Sequence, residues 1–146
     1  MDAKDVLKTI YLFRDAEPQD LAAVAAIAEP KAYIVAEYVY QTGDISDALF
    51  VVESGTVDLV LKDRDIPVGS VATGQAFGEL AFFERRERLA SAFTREATHL
   101  LRLPFAELDR IFAERPQLEL VFCRHVCVAL ARHLGTVAPD LSRRYF

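Results

Sequence analysis

The chain is poor in the residues that build disulfide frameworks, linkers and membrane spans. Two cysteines, Cys123 and Cys127, are too few for the bridged scaffold of a small secreted domain. Gly and Pro, six each, are scattered rather than clustered. No linker stands out, and residues 1–146 read as a single domain. Positive charge is in deficit: 17 Lys and Arg stand against 22 Asp and Glu, for a net charge of −5. That balance lacks the basic face of a general nucleic-acid binder. It leaves room for a small anion site, because the field that matters there is local. Long uncharged apolar runs are missing too. The most apolar stretch, residues 118–134, holds Arg124, His125, Arg132 and His133 and makes a poor membrane span. The charged first five residues lack the apolar core of a secretory signal. A cytoplasmic protein without membrane contact is the expectation.

Catalytic groupings are also scarce. Cys123 and Cys127 lie four apart at helical spacing with His125 between them on another face, and no third ligand converges for a metal. No base and orienting partner can be placed beside either thiol, and the Asp and His residues are scattered. The chain therefore reads as a non-enzyme without metal or cofactor.

What is present is a change of period along an apolar-rich chain. Residues 5–12 read as a short helical piece. Pro18 suits the first position of a helix whose apolar residues Leu21, Val24, Ala25 and Ala28 share a face, with Pro30 closing it. The middle favours strands: Tyr33, Ile34, Val35, Tyr38, Val39 and Tyr40 are β-branched or aromatic. Residues 49–52 are a short apolar run, and residues 56–62 alternate, with Val57, Leu59 and Leu61 on one face. Residues 62–65 read as a polar turn, and residues 66–71, 90–95 and 98–103 as further strands. The end is helical over residues 104–112 and from Pro116 to about Leu134, with Gly135 as a stop. Many short strands between helices predict an α+β fold: an antiparallel β-roll, jelly-roll-like, with N-terminal helices, one short helix within it and two C-terminal helices.

The segment over residues 77–91, FGELAFFERRERLAS, carries the chemistry. Gly78 lets backbone approach a ligand closely. A short helical run over residues 79–84 offers free amides to an anion. Arg88 returns at the next strand with a planar fork suited to phosphate. Glu79 cannot help a phosphate directly, but it can accept hydrogen bonds from a sugar hydroxyl. The segment therefore asks for a ligand with an anionic end and a hydroxyl close together.

Phe77-Gly78-Glu79-Leu80-Ala81, followed by Arg88-Leu89-Ala90-Ser91, resembles the phosphate-binding cassette of the cyclic-nucleotide-binding domain family. Gly43-Asp44, Asp47, Leu49-Phe50 and Gly55 resemble that family's paired-strand signature, and Leu7-Lys8 with Leu12-Phe13 its helical start. The resemblance covers nearly the whole chain. It implies a β-roll that holds cAMP or cGMP and signals through its last helices, the final one acting as a mobile lid. Arg88 would bind the exocyclic phosphate oxygens, Glu79 the ribose 2′-hydroxyl with the Gly78 amide, and the amides of Ala81 and Leu89 the phosphate. Leu80 and Ala90 complete the ligand-facing set, and Ser91 takes a position able to touch a guanine base. The chain departs from the family pattern at Glu87, where proline is common. It departs again at Arg85 and Arg86, where glycine is frequent, and at Leu89, where a small residue is usual. Glu87 brings negative charge near the phosphate position, which Arg85 and Arg86 could offset.

The rival reading is a degenerate roll kept for protein interaction or dimerisation through the last helix. The many apolar residues over 118–134 favour it; retention of both Arg88 and Glu79 argues against it. The dozen residues after Leu134 are too few for a helix-turn-helix, so contact with nucleic acid is not expected of this chain.

Overall fold

A computed structural model describes residues 2–62 and 67–137, the last two by backbone alone. Among the described residues the element order is α1 (Ala3–Thr9), a 3-10 turn (Tyr11–Phe13), α2 (Pro18–Ile27), then eight strands: β1 (Glu29–Tyr33), β2 (Tyr38–Tyr40), β3 (Ala48–Ser54), β4 (Thr56–Leu61), β5 (Gly69–Ala72), β6 (Ala76–Phe77), β7 (Ala90–Thr94) and β8 (Thr98–Pro104). A short helix α3 (Ala81–Glu84) interrupts the strands, and α4 (Phe105–Glu114) and α5 (Pro116–Val137) follow them. The strands form two four-stranded sheets, ordered β1-β8-β3-β6 and β2-β7-β4-β5, with antiparallel pairing throughout. This is the expected α+β roll.

β3 explains how the layers stack. Its run Ala48 to Val52 is buried on both faces, so it reads as a continuous apolar segment rather than an alternating one. Ala48, Phe50 and Val52 point between the sheets, with Val57, Val71, Phe77, Ala92 and Leu100. Leu49 and Val51 point the other way, beside Leu101 and Leu103 of β8, into a second core built by the helices. One sheet thus divides a small core inside the roll from a larger helical one. Its position between them rests on the period-two alternation of β3 and β8.

The helices settle where their apolar stripes demand. Pro18 occupies the start of α2 as expected. Pro30 does not close that helix. α2 ends at Ile27, and Pro30 lies within β1, an edge strand that can do without its amide. In α5, Leu118, Phe122 and Val126 repeat every four residues and are buried, with Phe122 stacked on Phe13 at 5.8 Å between ring centroids. Gly135 does not stop α5, which continues to Val137; a single glycine only weakens a helix. No helix among the described residues is long and apolar enough to cross a membrane.

Ile34 and Val35 leave the strand expected of them. They sit in the turn between β1 and β2, 72% and 57% exposed, beside Ala36 at φ 64°. The turn is held from below by the fully buried Thr94. Its hydroxyl accepts from the Glu37 amide at 2.8 Å and donates to the Ile34 carbonyl at 2.6 Å. Of the polar turn expected at residues 62–65, and of Ile66 as the start of the next strand, residues 63–66 lie outside the described residues.

Candidate functional site

The site is built around the connection from β6 to β7. Phe77 is buried and stacks on Phe50 at 5.2 Å, which anchors the end of β6. Gly78 follows at φ 80°, a left-handed conformation that turns the chain into α3. α3 spans four residues, shorter than the run 79–84 expected, so its contribution to an anion is local amides rather than a helix dipole. Its apolar side is Phe82, which meets Phe83, Phe105, Phe112 and Phe122 edge-on or nearly so at 5.3 to 5.5 Å. That ring cluster ties the connection to α4 and α5 directly.

Arg85 and Arg86 already have carboxylate partners. Arg85 donates to the Phe82 carbonyl, contacts both Asp109 carboxylate oxygens at 2.9 and 3.0 Å, and lies over the Phe82 and Phe105 rings. Arg86 pairs with Glu84 at 2.6 Å on an exposed face. Neither is therefore held free to offset Glu87.

Arg88 is a charged group that the fold encloses. It is 6% exposed. Its amide donates to the Asp44 carbonyl at 2.8 Å and its carbonyl accepts from the Gly43 amide at 2.9 Å, so the Gly43-Asp44 turn locates it. The guanidinium lies 4.1 Å above the Tyr40 ring and donates through Nη2 to the Ala48 carbonyl. Nε has no partner, and among the described residues no carboxylate forms an ion pair with Arg88. Burial pulls its pKa below the ordinary value, but arginine stays charged at any working pH. The Asp47 and Asp44 carboxylates act on it without hydrogen-bond contact, and a cation buried without a contacting partner is costly.

Glu79 stands on the other side of Gly78. Burial raises its carboxyl above the ordinary range, opposed by a hydrogen bond from its own backbone amide and one from the Tyr11 hydroxyl at 3.2 Å. Burial and the Glu79 carboxylate in turn push the Tyr11 phenol well above its ordinary value, so Tyr11 remains the donor. Tyr11 lies on the 3-10 turn beside α1, and nothing in the local sequence marks it as part of the site. Only a contact across 68 residues brings it here, and no local pattern signals such a contact.

Gly78, Glu79, Leu80, Ala81, Arg88, Leu89 and Ala90 line one cavity of about 400 Å³, with Tyr40, Ser46, Leu59 and Val71 among its other walls. Seven of the eight predicted site residues thus converge. Leu89, 74% exposed, and Leu80 stand at the mouth. Ser91 does not join them. It faces a separate surface depression beside Thr42, whose amide donates to its hydroxyl at 2.9 Å. The cause is strand alternation: Ala90 lines the cavity, so its neighbour points to the opposite face of β7. Among the described residues no group of three His, Cys, Asp or Glu side chains comes together. His125 meets Asp15 at 3.0 Å.

The cavity thus presents a buried arginine and, beside it, a carboxylate on a β-roll. The family model for the cyclic nucleotide-binding domain matches residues 31–115, and the chain belongs to that family. It is similar to the cAMP-dependent protein kinase regulatory subunit of Candida albicans, 33% identical over 80% of this chain and 24% of that protein. It is also similar to Glutaminase 1 of Bradyrhizobium diazoefficiens, 30% identical over 79% of this chain and 18% of that protein. The chain thus spans a quarter or less of these relatives. Among solved structures, the N-terminal domain of a transcriptional regulator from Streptomyces coelicolor superposes with a TM-score of 0.78 at 25% identity, covering 88% of this chain and 94% of that one. The regulatory domain of Toxoplasma gondii PKA with cAMP gives 0.68 at 25% identity, covering 75% and 42%.

Proposed function

We propose that this chain is a cyclic-nucleotide sensor module, binding cAMP or cGMP without transforming it. The observation that carries the reading is Arg88: a buried guanidinium with an open Nε and, among the described residues, no carboxylate in an ion pair with it, facing a cavity that also presents Glu79. The cyclic phosphate supplies the anion, at the end marked by Arg88 and Gly78. The ribose 2′-hydroxyl donates to Glu79. The purine lies along the apolar walls Leu59, Val71 and Leu89. Occupancy pulls the connection around α3 toward Arg88, and the Phe82 ring cluster passes the shift to α4 and α5. Such a shift requires different ligand affinities in the two arrangements. The output leaves through α5, where Leu120, Val128, Leu130 and Leu134 stay exposed and a second copy or an effector protein would meet them.

The test is calorimetric titration with cAMP and with cGMP, for the wild type and Arg88→Ala. Micromolar or tighter binding is expected, weakened by roughly 30-fold or more in the variant, since removing one partner of a buried charged pair costs about 2–5 kcal/mol. A folded wild type that shows neither heat nor thermal shift with either nucleotide overturns the reading and leaves the interaction-module alternative.

A further inference from the structure

Among the described residues, two buried side-chain polar atoms lack a hydrogen-bond partner, and both belong to walls of the same cavity: Arg88 Nε and Ser46 Oγ. Ser46 is 5% exposed. Buried hydroxyls nearly always find a partner, so an orphan inside a binding cavity marks a place where the partner comes from outside the protein. Arg88 has the Gly43-Asp44 turn and the cassette pattern to announce it; Ser46 has no such signal in the sequence.

The local backbone sets where the hydroxyl stands. Ser46 lies in the connection between β2 and β3, midway between the two carbonyls that hold Arg88. Asp44 accepts from its amide at 2.8 Å, and Ala48 accepts from Nη2. Its neighbour Ile45 bridges Glu87, the residue before Arg88. The connection therefore delivers Ser46 to the arginine end of the cavity. A serine hydroxyl could accept from a guanidinium, yet Arg88 Nε and Ser46 Oγ do not satisfy each other. They remain two open donors on the walls of one cavity.

We propose that Ser46 is a second anion ligand of the site, its hydroxyl donating to an exocyclic phosphate oxygen of the cyclic phosphodiester whose charge Arg88 neutralises. This rests on the sensor reading above and adds a residue to it. It also gives the site a stereochemical preference, because a hydroxyl and a guanidinium at fixed places address the two exocyclic oxygens unequally.

The test titrates wild type and Ser46→Ala with whichever of cAMP and cGMP the wild type binds, and with that nucleotide's Rp and Sp phosphorothioates, in which sulfur replaces one exocyclic oxygen. Thermal unfolding of the ligand-free proteins accompanies it. The proposal expects Ser46→Ala to lose roughly 10-fold in affinity for the parent nucleotide, the scale of one hydrogen bond to a charged group. One phosphorothioate isomer should show little further loss, since sulfur is a poor acceptor at the serine. Ligand-free Ser46→Ala should unfold at or above the wild-type temperature, because it removes a hydroxyl that has no partner. A wild type that binds while Ser46→Ala binds within twofold for all three ligands overturns the Ser46 assignment and leaves the sensor reading standing. A drop in the unfolding temperature of ligand-free Ser46→Ala overturns it too, by showing that the hydroxyl is already satisfied. A wild type that binds neither nucleotide removes both.

Discussion

Gly78→Ala tests the geometry of the site at its tightest point. Gly78 sits at φ 80°, and a Cβ built there comes within 2.9 Å of Arg88 Nη1 and 3.5 Å of the Ala48 carbonyl. Holding alanine in a left-handed conformation costs about 1–2 kcal/mol. The contact adds to that, because the guanidinium cannot simply swing aside: it lies over Tyr40 and donates to the Ala48 carbonyl. Forcing it off that carbonyl forfeits about 1.5–3 kcal/mol, the worth of a hydrogen bond from a charged donor. The sum is about 2.5–5 kcal/mol, which for a chain of this size lowers the midpoint of thermal unfolding by roughly 10–15 °C. Gly43 provides the control. It has φ 93° but nothing within 4 Å of its Cβ position, so Gly43→Ala pays for backbone alone, about 1–2 kcal/mol. Thermal unfolding of both variants, with nucleotide titration of each, gives the comparison. Gly78→Ala should be the less stable by several degrees and should lose most of its affinity. Equal midpoints would refute the close approach of Gly78 to Arg88 and with it the account of how the arginine is held.

Glu79 predicts a pH dependence. Folded and empty, the chain keeps a proton on Glu79 through a window above the ordinary carboxylate range, where the unfolded chain has released it. Stability of the ligand-free protein should therefore fall as pH rises through that window. Nucleotide affinity should rise over the same window, since a hydroxyl donating to Glu79 favours the ionised form. Titration across pH, with Glu79→Gln flattening the rise, is the check. Tyr11→Phe removes a hydrogen bond that lowers the Glu79 pKa, so the rise in affinity should move to higher pH; an unmoved profile would show that Tyr11 does not act on the carboxylate. Thr94→Val strips the fully buried hydroxyl that serves the Glu37 amide and the Ile34 carbonyl and should cost about 1–3 kcal/mol in urea unfolding with an unchanged slope. An unchanged midpoint would mean that water replaces the hydroxyl at the turn.

Much of the molecule was legible along the chain. The α+β roll follows from short strands whose period is two, bracketed by helices whose period is near four, because those periods decide which side chains can share a buried face. Gly78, Glu79 and Arg88 could be picked out because close approach, hydroxyl acceptance and anion binding each restrict the residue type at a short spacing. Other features depended on contacts distant in the chain. Pro30 looked like a helix stop until β8 made its segment an edge strand, and Ile34 and Val35 looked like strand until Thr94 drew their backbone into a turn. Arg85 and Arg86 read as a mixed-charge face able to offset Glu87, and the structure gives them Asp109 and Glu84 as partners. Ser91 looked like part of the cassette until pairing with Thr42 and the alternation of β7 turned it away. The sequence by itself determined the fold class and the local chemistry of the cassette, since both are written in periodicity and neighbouring residues. Only the tertiary structure decided that Arg88 is buried with no carboxylate ion pair among the described residues, that Tyr11 reaches Glu79 and that the Ser46 hydroxyl is buried without a partner in the wall of the same cavity. Burial and hydrogen-bond satisfaction are properties of segments far apart in the chain that meet only when it folds.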